Sequence, residues 1–109
     1  MRINDRDVGF AWTTGAYVDY NDWVVNHTNA SVSRARLERA VIMSAEYNRI
    51  NKDKDAKPLT VGEIRDLPVY VMEEIFTETD KIVERDSKRT VETKEDTKGK
   101  NVKSEQKSS

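Results

Sequence analysis

The sequence predicts an all-α fold: a small bundle of about four helices, entered by a short extended segment and followed by a disordered, charged tail. Three observations lead there. Apolar residues recur at helical spacing in three stretches, 13–26, 31–50 and 68–85. Turn-forming residues separate those stretches. A compact set of helix-start signals, followed at once by a proline, lies between Lys57 and Pro68.

The extended segment is Val8, Phe10 and Trp12 alternating with Gly9 and Ala11, a period suited to a strip laid on a core. From Thr13 to about Asn26 the periodicity becomes helical. Trp12, Ala16, Tyr20, Trp23 and Val24 fall on one stripe, which places both tryptophans on the same side. After the polar break His27-Thr28-Asn29, a second helix is expected from Ser31 or Ser33 to Ile50. Leu37, Ala40, Val41 and Ser44 lie on one face, Met43, Tyr47 and Ile50 adjoin it, and Arg34 with Glu38 forms an i,i+4 pair on the other side. Asn51 to Lys57 reads as a solvated connector.

Thr60-Val61-Gly62-Glu63 has the form of a capping box, with the threonine hydroxyl set to accept from the Glu63 amide and the glutamate set to reach back. Leu59 and Ile64 complete a hydrophobic staple. A helix therefore starts at Val61. Pro68 has no amide hydrogen and disfavours helical geometry at Leu67, so that helix ends near Asp66 and another begins at Pro68, making a corner. The last helix, Pro68 to about Arg85, carries Val69, Met72, Phe76 and Val83 on one stripe and Val71, Ile75 and Ile82 on a second. Together they span roughly 160°, more than the roughly 100° that docking on a single core requires. The surplus marks Met72, Ile75 and Phe76 as the candidate partner-binding residues.

Composition bounds the function. A chain of 109 residues with 36% charged and 36% hydrophobic residues supplies one small domain, read as 1–85. Nineteen basic and twenty acidic residues leave no global field to draw it to nucleic acid or an anionic membrane. The tail, 86–109, has only Val91 and Val102 as large aliphatics, and its seven basic and five acidic residues leave +2, too little for a polybasic arm. With no cysteine and a single histidine, His27, the chain lacks thiol nucleophiles, thiolate metal sites and a His pair. Neighbouring acids such as Glu73-Glu74 and Asp53 with Asp55 match neither a calcium loop nor a two-carboxylate site, and the four glycines are too scattered to cradle phosphate. The expectation is a soluble, intracellular, non-enzymatic protein with no metal and no cofactor. A helical DNA-binding regulator presenting Arg34, Arg36 and Arg39 is the alternative from another class, although the connector before those arginines lacks the glycine usual in a helix-turn-helix.

Two segments carry a resemblance: Gly9-Phe10-Ala11-Trp12-Thr13-Thr14-Gly15-Ala16, and Pro58-Leu59-Thr60-Val61-Gly62-Glu63-Ile64-Arg65-Asp66-Leu67-Pro68. With the charged tail after Thr90-Val91-Glu92, the chain resembles the tail assembly chaperones of long-tailed bacteriophages, or prophages, of Gram-positive hosts. The resemblance implies a helical assembly factor of the host cytoplasm that binds the tape measure protein, helps recruit tail tube subunits and is absent from the mature virion. It also implies, for many members, a longer form made by ribosomal frameshifting. A structural head or tail connector subunit is a further alternative, and homo-oligomerisation through the wide apolar arc is equally consistent with the pattern.

Overall fold

A computed structural model describes residues 1–52 and 57–88. The chain forms a two-stranded antiparallel hairpin, β1 (Arg2–Ile3) and β2 (Arg6–Asp7), then helices α1 (Thr14–Asn26), α2 (Val32–Asn51), α3 (Val61–Arg65) and α4 (Val69–Ser87). The helices stand within a residue or two of where capping and periodicity place them. The helix expected to close near Arg85 continues to Ser87, which brings the first two residues of the expected tail into the fold. Residues 53–56 of the expected connector and 89–109 of the tail lie outside the described residues.

Helix starts are set by side chains. Thr13, Ser31 and Thr60 are extended, and their hydroxyls accept from the amides of Ala16 (3.2 Å), Arg34 (3.0 Å) and Glu63 (3.1 Å). Pro68 precedes the first residue of α4 and separates it from the five-residue α3. The hairpin was not evident from alternation alone. Its turn residues Asn4 and Asp5 have φ of 49° and 64°, the left-handed pair a type I′ turn requires, and Asn and Asp tolerate that conformation best among residues with a Cβ.

The core sits on one face of α2, where Leu37, Ala40, Met43 and Ser44 are buried. Ile75, Phe76 and Ile82 of α4, Ile64 of α3, Leu59 before it, and Ile3, Val8 and Phe10 of the N-terminal segment close over that face. Ser44, a polar residue on an apolar face, is satisfied because its hydroxyl accepts the Leu59 amide at 3.1 Å, pinning the loop before α3 to α2. Thr79 is also fully buried, and its hydroxyl donates to the Ile75 carbonyl at 3.0 Å.

The expected extended strip is present. Val8 and Phe10 point into the core, and the Ala11 amide donates to the Met43 carbonyl at 3.0 Å. Gly9 lies against the ring of Tyr47 so closely that an added Cβ would overlap it. Gly15, in the first turn of α1, would place a Cβ 3.5 Å from a Glu46 carboxylate oxygen, an ordinary contact.

The two glycines of one motif are therefore expected to respond oppositely. Gly9→Ala should lose about 1–3 kcal/mol by overpacking against Tyr47, whereas Gly15→Ala should gain about 0.5–1 kcal/mol by restricting the unfolded chain. Urea denaturation measures both, and equal stabilities for the two variants would contradict this packing.

Candidate functional site

The wide apolar arc of α4 proves to be shared out within the chain. Ile75 is 0% and Phe76 5% exposed, and Met72 is half-buried against the same core. Ile75 and Phe76 therefore form no open ledge. The physical reason is that α4 meets more than one neighbour in this chain, and that the Arg36 guanidinium lies 4.2 Å above the Phe76 ring and covers its outer side. Only the first turn of α4 leaves large apolar groups outside, Val69 and Tyr70.

The three arginines of the alternative reading are drawn to carboxylates. Arg34 pairs with Glu38 at 3.1 Å, as the i,i+4 spacing predicts. Arg36 and Arg39 both bind Asp80, one on each carboxylate oxygen, and so clamp α2 to α4. Arg39 is mostly buried, and its Nε has no acceptor among the described residues. Arg36 and Arg39 thus hold two helices together, and Arg34 is paired along α2 itself.

Two further ionic links tie the N-terminal segment to the helices that follow it. Arg6 grips Glu63 with both terminal nitrogens, 2.6 and 2.7 Å, and its Nε donates to the Lys57 carbonyl at 3.1 Å, while Asn4 adds a 2.9 Å bond to Glu63. Thr60 thus caps Glu63 as the capping box predicts, but the glutamate side chain is engaged mainly by the hairpin. Arg6 foremost, with smaller help from Asn4 and the Thr60 amide, holds the Glu63 carboxyl below its ordinary range against the opposing effect of burial. The second link is a relay: the Thr13 hydroxyl donates to Glu46, which Arg49 binds at 2.8 and 2.9 Å. Hydrogen bonds from Arg49 first and Thr13 second lower the Glu46 carboxyl from 4.5 to about 2.

Among the described helices, α1 exposes the most large apolar side chains. Ala16 is its one fully buried residue, with Tyr20 and Trp23 half-buried beside it on the expected stripe. Tyr17 (54% exposed), Val18 (47%), Val24 (38%) and Val25 (71%) face outward, and at 100° per residue they occupy, with Thr14 and Asn21, an uncharged arc of about 120°. The N-terminal end of that arc runs into a groove of about 440 Å³ walled by Trp12, Thr13, Thr14 and Tyr17 on one side and Asp86 and Ser87 of α4 on the other. Trp12 is fixed there by an Nε1 bond of 3.0 Å to the Ser87 hydroxyl and by edge-to-face contact with Tyr17 and Tyr20, each with ring centroids 6.1 Å apart. At the other end, His27 stacks on Trp23 with centroids 4.2 Å apart, its Nδ1 2.8 Å from the Trp23 carbonyl, so this nitrogen carries the proton.

Sequence reasoning located the packing stripe of α1 at Ala16, Tyr20 and Trp23 but wrongly added Val24, which the helical turn carries to the outward side, and it missed the outward stripe, which Asn21 and Thr14 interrupt. The one available signal was a helix holding Tyr17, Val18, Val24 and Val25 without a basic residue. Among the described residues no helix is long and apolar enough to cross a membrane, and no three His, Asp or Glu side chains converge as metal ligands. Comparison with protein families, curated proteins and solved structures finds no match.

Two outcomes follow from this arrangement. Ile75→Ala is expected to cost about 2–5 kcal/mol of stability, as a cavity in a core does, and a cost near zero in a denaturant titration would return Ile75 to the surface. Because the folded-state values of Glu46 and Glu63 are lowered, their contribution is complete above about pH 4.5 and is lost as pH falls below it, for Glu46 towards about 2. The urea midpoint should fall across that window, and Glu46→Gln should make the fall shallower; an identical slope in the variant would remove Glu46 from the account.

Proposed function

We propose that the chain is a non-enzymatic assembly chaperone for a helical partner, of the kind found among phage tail assembly chaperones. It binds the tape measure protein and helps bring tail tube subunits to it, acts in the host cytoplasm and departs before the virion is complete. The observation that carries the reading is the outward stripe of α1. Four large apolar side chains stand exposed on a 13-residue helix whose own anchoring rests on a single fully buried alanine. Exposed apolar faces of this kind mark sites where a protein partner docks.

The segments that carry the resemblance support the reading through their architectural roles. Gly9 and Trp12 shape the approach to α1, Thr13 caps it, and Thr60 and Pro68 set the corner that leads into α4. The site of partner contact in this proposal moves from Met72, Ile75 and Phe76 to α1, because the last two have no surface to offer.

Co-expression with a long helical tape measure protein tests the proposal. The native chain should raise the soluble yield of that protein, and Val18→Glu with Val25→Glu should abolish the effect while changing stability by no more than about 0.5 kcal/mol, as surface substitutions do. A partner whose solubility is indifferent to the native chain would refute it.

A further inference from the structure

The charges around the outward face of α1 are one-sided. The helix has two acids, Asp19 and Asp22, and no basic residue, and neither acid is within ion-pair distance of a base among the described residues. Asp22 follows Val18 by one turn and borders the Val18–Val25 edge of the stripe, whereas Asp19 lies a further 60° round the helix, away from it. The base linked to the start of the helix, Arg49, is already held by Glu46, and Arg85, next to the groove, by Asp86. The groove is walled by Trp12 and Tyr17, whose ring faces suit an apolar side chain or a cation.

Resting on the functional reading above, we infer that the occupant of this face is an amphipathic helix whose apolar ridge is flanked by Lys or Arg. The exposed residues from Tyr17 to Val25 extend about 12 Å along the axis, two turns, which is the footprint of one crossing helix. Its apolar ridge covers Tyr17, Val18, Val24 and Val25; one large side chain enters the groove at Trp12; a flanking cation meets Asp22. A second copy of this chain fits less well, because α1 against α1 brings two Asp22 carboxylates to one seam with no base from either helix.

Two synthetic helical peptides with the same leucine ridge, one flanked by Lys and one by Glu, provide the test. Of the chain's two tryptophans, Trp12 walls the groove and reports binding by fluorescence. The Lys peptide should bind about tenfold more tightly at low ionic strength, the gap should shrink between about 0.05 and 0.5 M salt, and Asp22→Asn should close most of it while Asp19→Asn changes it little. Equal or tighter binding of the Glu peptide, binding of neither, or a dimer in sedimentation equilibrium that Val25→Glu dissolves would each overturn the inference. The co-expression result judges the functional reading separately, since it needs only that some helical partner be held.

Discussion

One face of α2 holds the molecule together, and the remaining elements are arranged by their competition for it. Leu37, Ala40, Met43 and Ser44 present a strip in which the small Ala40 and Ser44 let neighbours approach closely. The N-terminal strip, the α3 corner and α4 all close over that strip, so its apolar surface is consumed. Helix α1 packs on α2 with Ala16 as its sole fully buried residue. Its outward apolar stripe follows from this allocation, because no element in the described chain is left to cover it.

Charge is abundant, and its structural use is to fix register between elements. Arg6 with Glu63 joins the hairpin to α3, Arg36 and Arg39 with Asp80 join α2 to α4, and Arg49 with Glu46 and Thr13 joins α2 to the cap of α1. Partly exposed pairs add little stability individually. Each nevertheless spans two elements that a short chain with a small core would otherwise hold by apolar contact alone. The acids of α1 stand outside this scheme, and Asp22, at the edge of the outward face, gives that face its preference in partner charge.

Much of the fold was legible because its boundaries are chemical. Thr13, Ser31 and Thr60 cap helices where their hydroxyls could be expected to, and Pro68 turns the chain where its missing amide requires. The hairpin was missed because two-residue strands are too short for a period, although Asn4-Asp5 between Ile3 and Arg6 is a turn signal. The site was misplaced for a different reason. Periodicity reveals that the arc of α4 is apolar but not what lies against it, and the cover over Phe76 comes from Arg36, forty residues earlier. On α1, Asn21 and Thr14 dilute the outward stripe, so a pattern count favours α4 while burial favours α1.

The central claim is that the chain keeps the apolar arc of α4 for itself and offers α1 to a partner. Amide hydrogen exchange, recorded for the chain alone and in complex with a co-expressed helical tail protein, addresses both halves at once. The account predicts that α4 around Ile75 and Phe76 is already strongly protected in the free chain and unchanged in the complex, while protection is gained from Tyr17 to Val25. New protection confined to α4, with α1 exchanging as before, would contradict it.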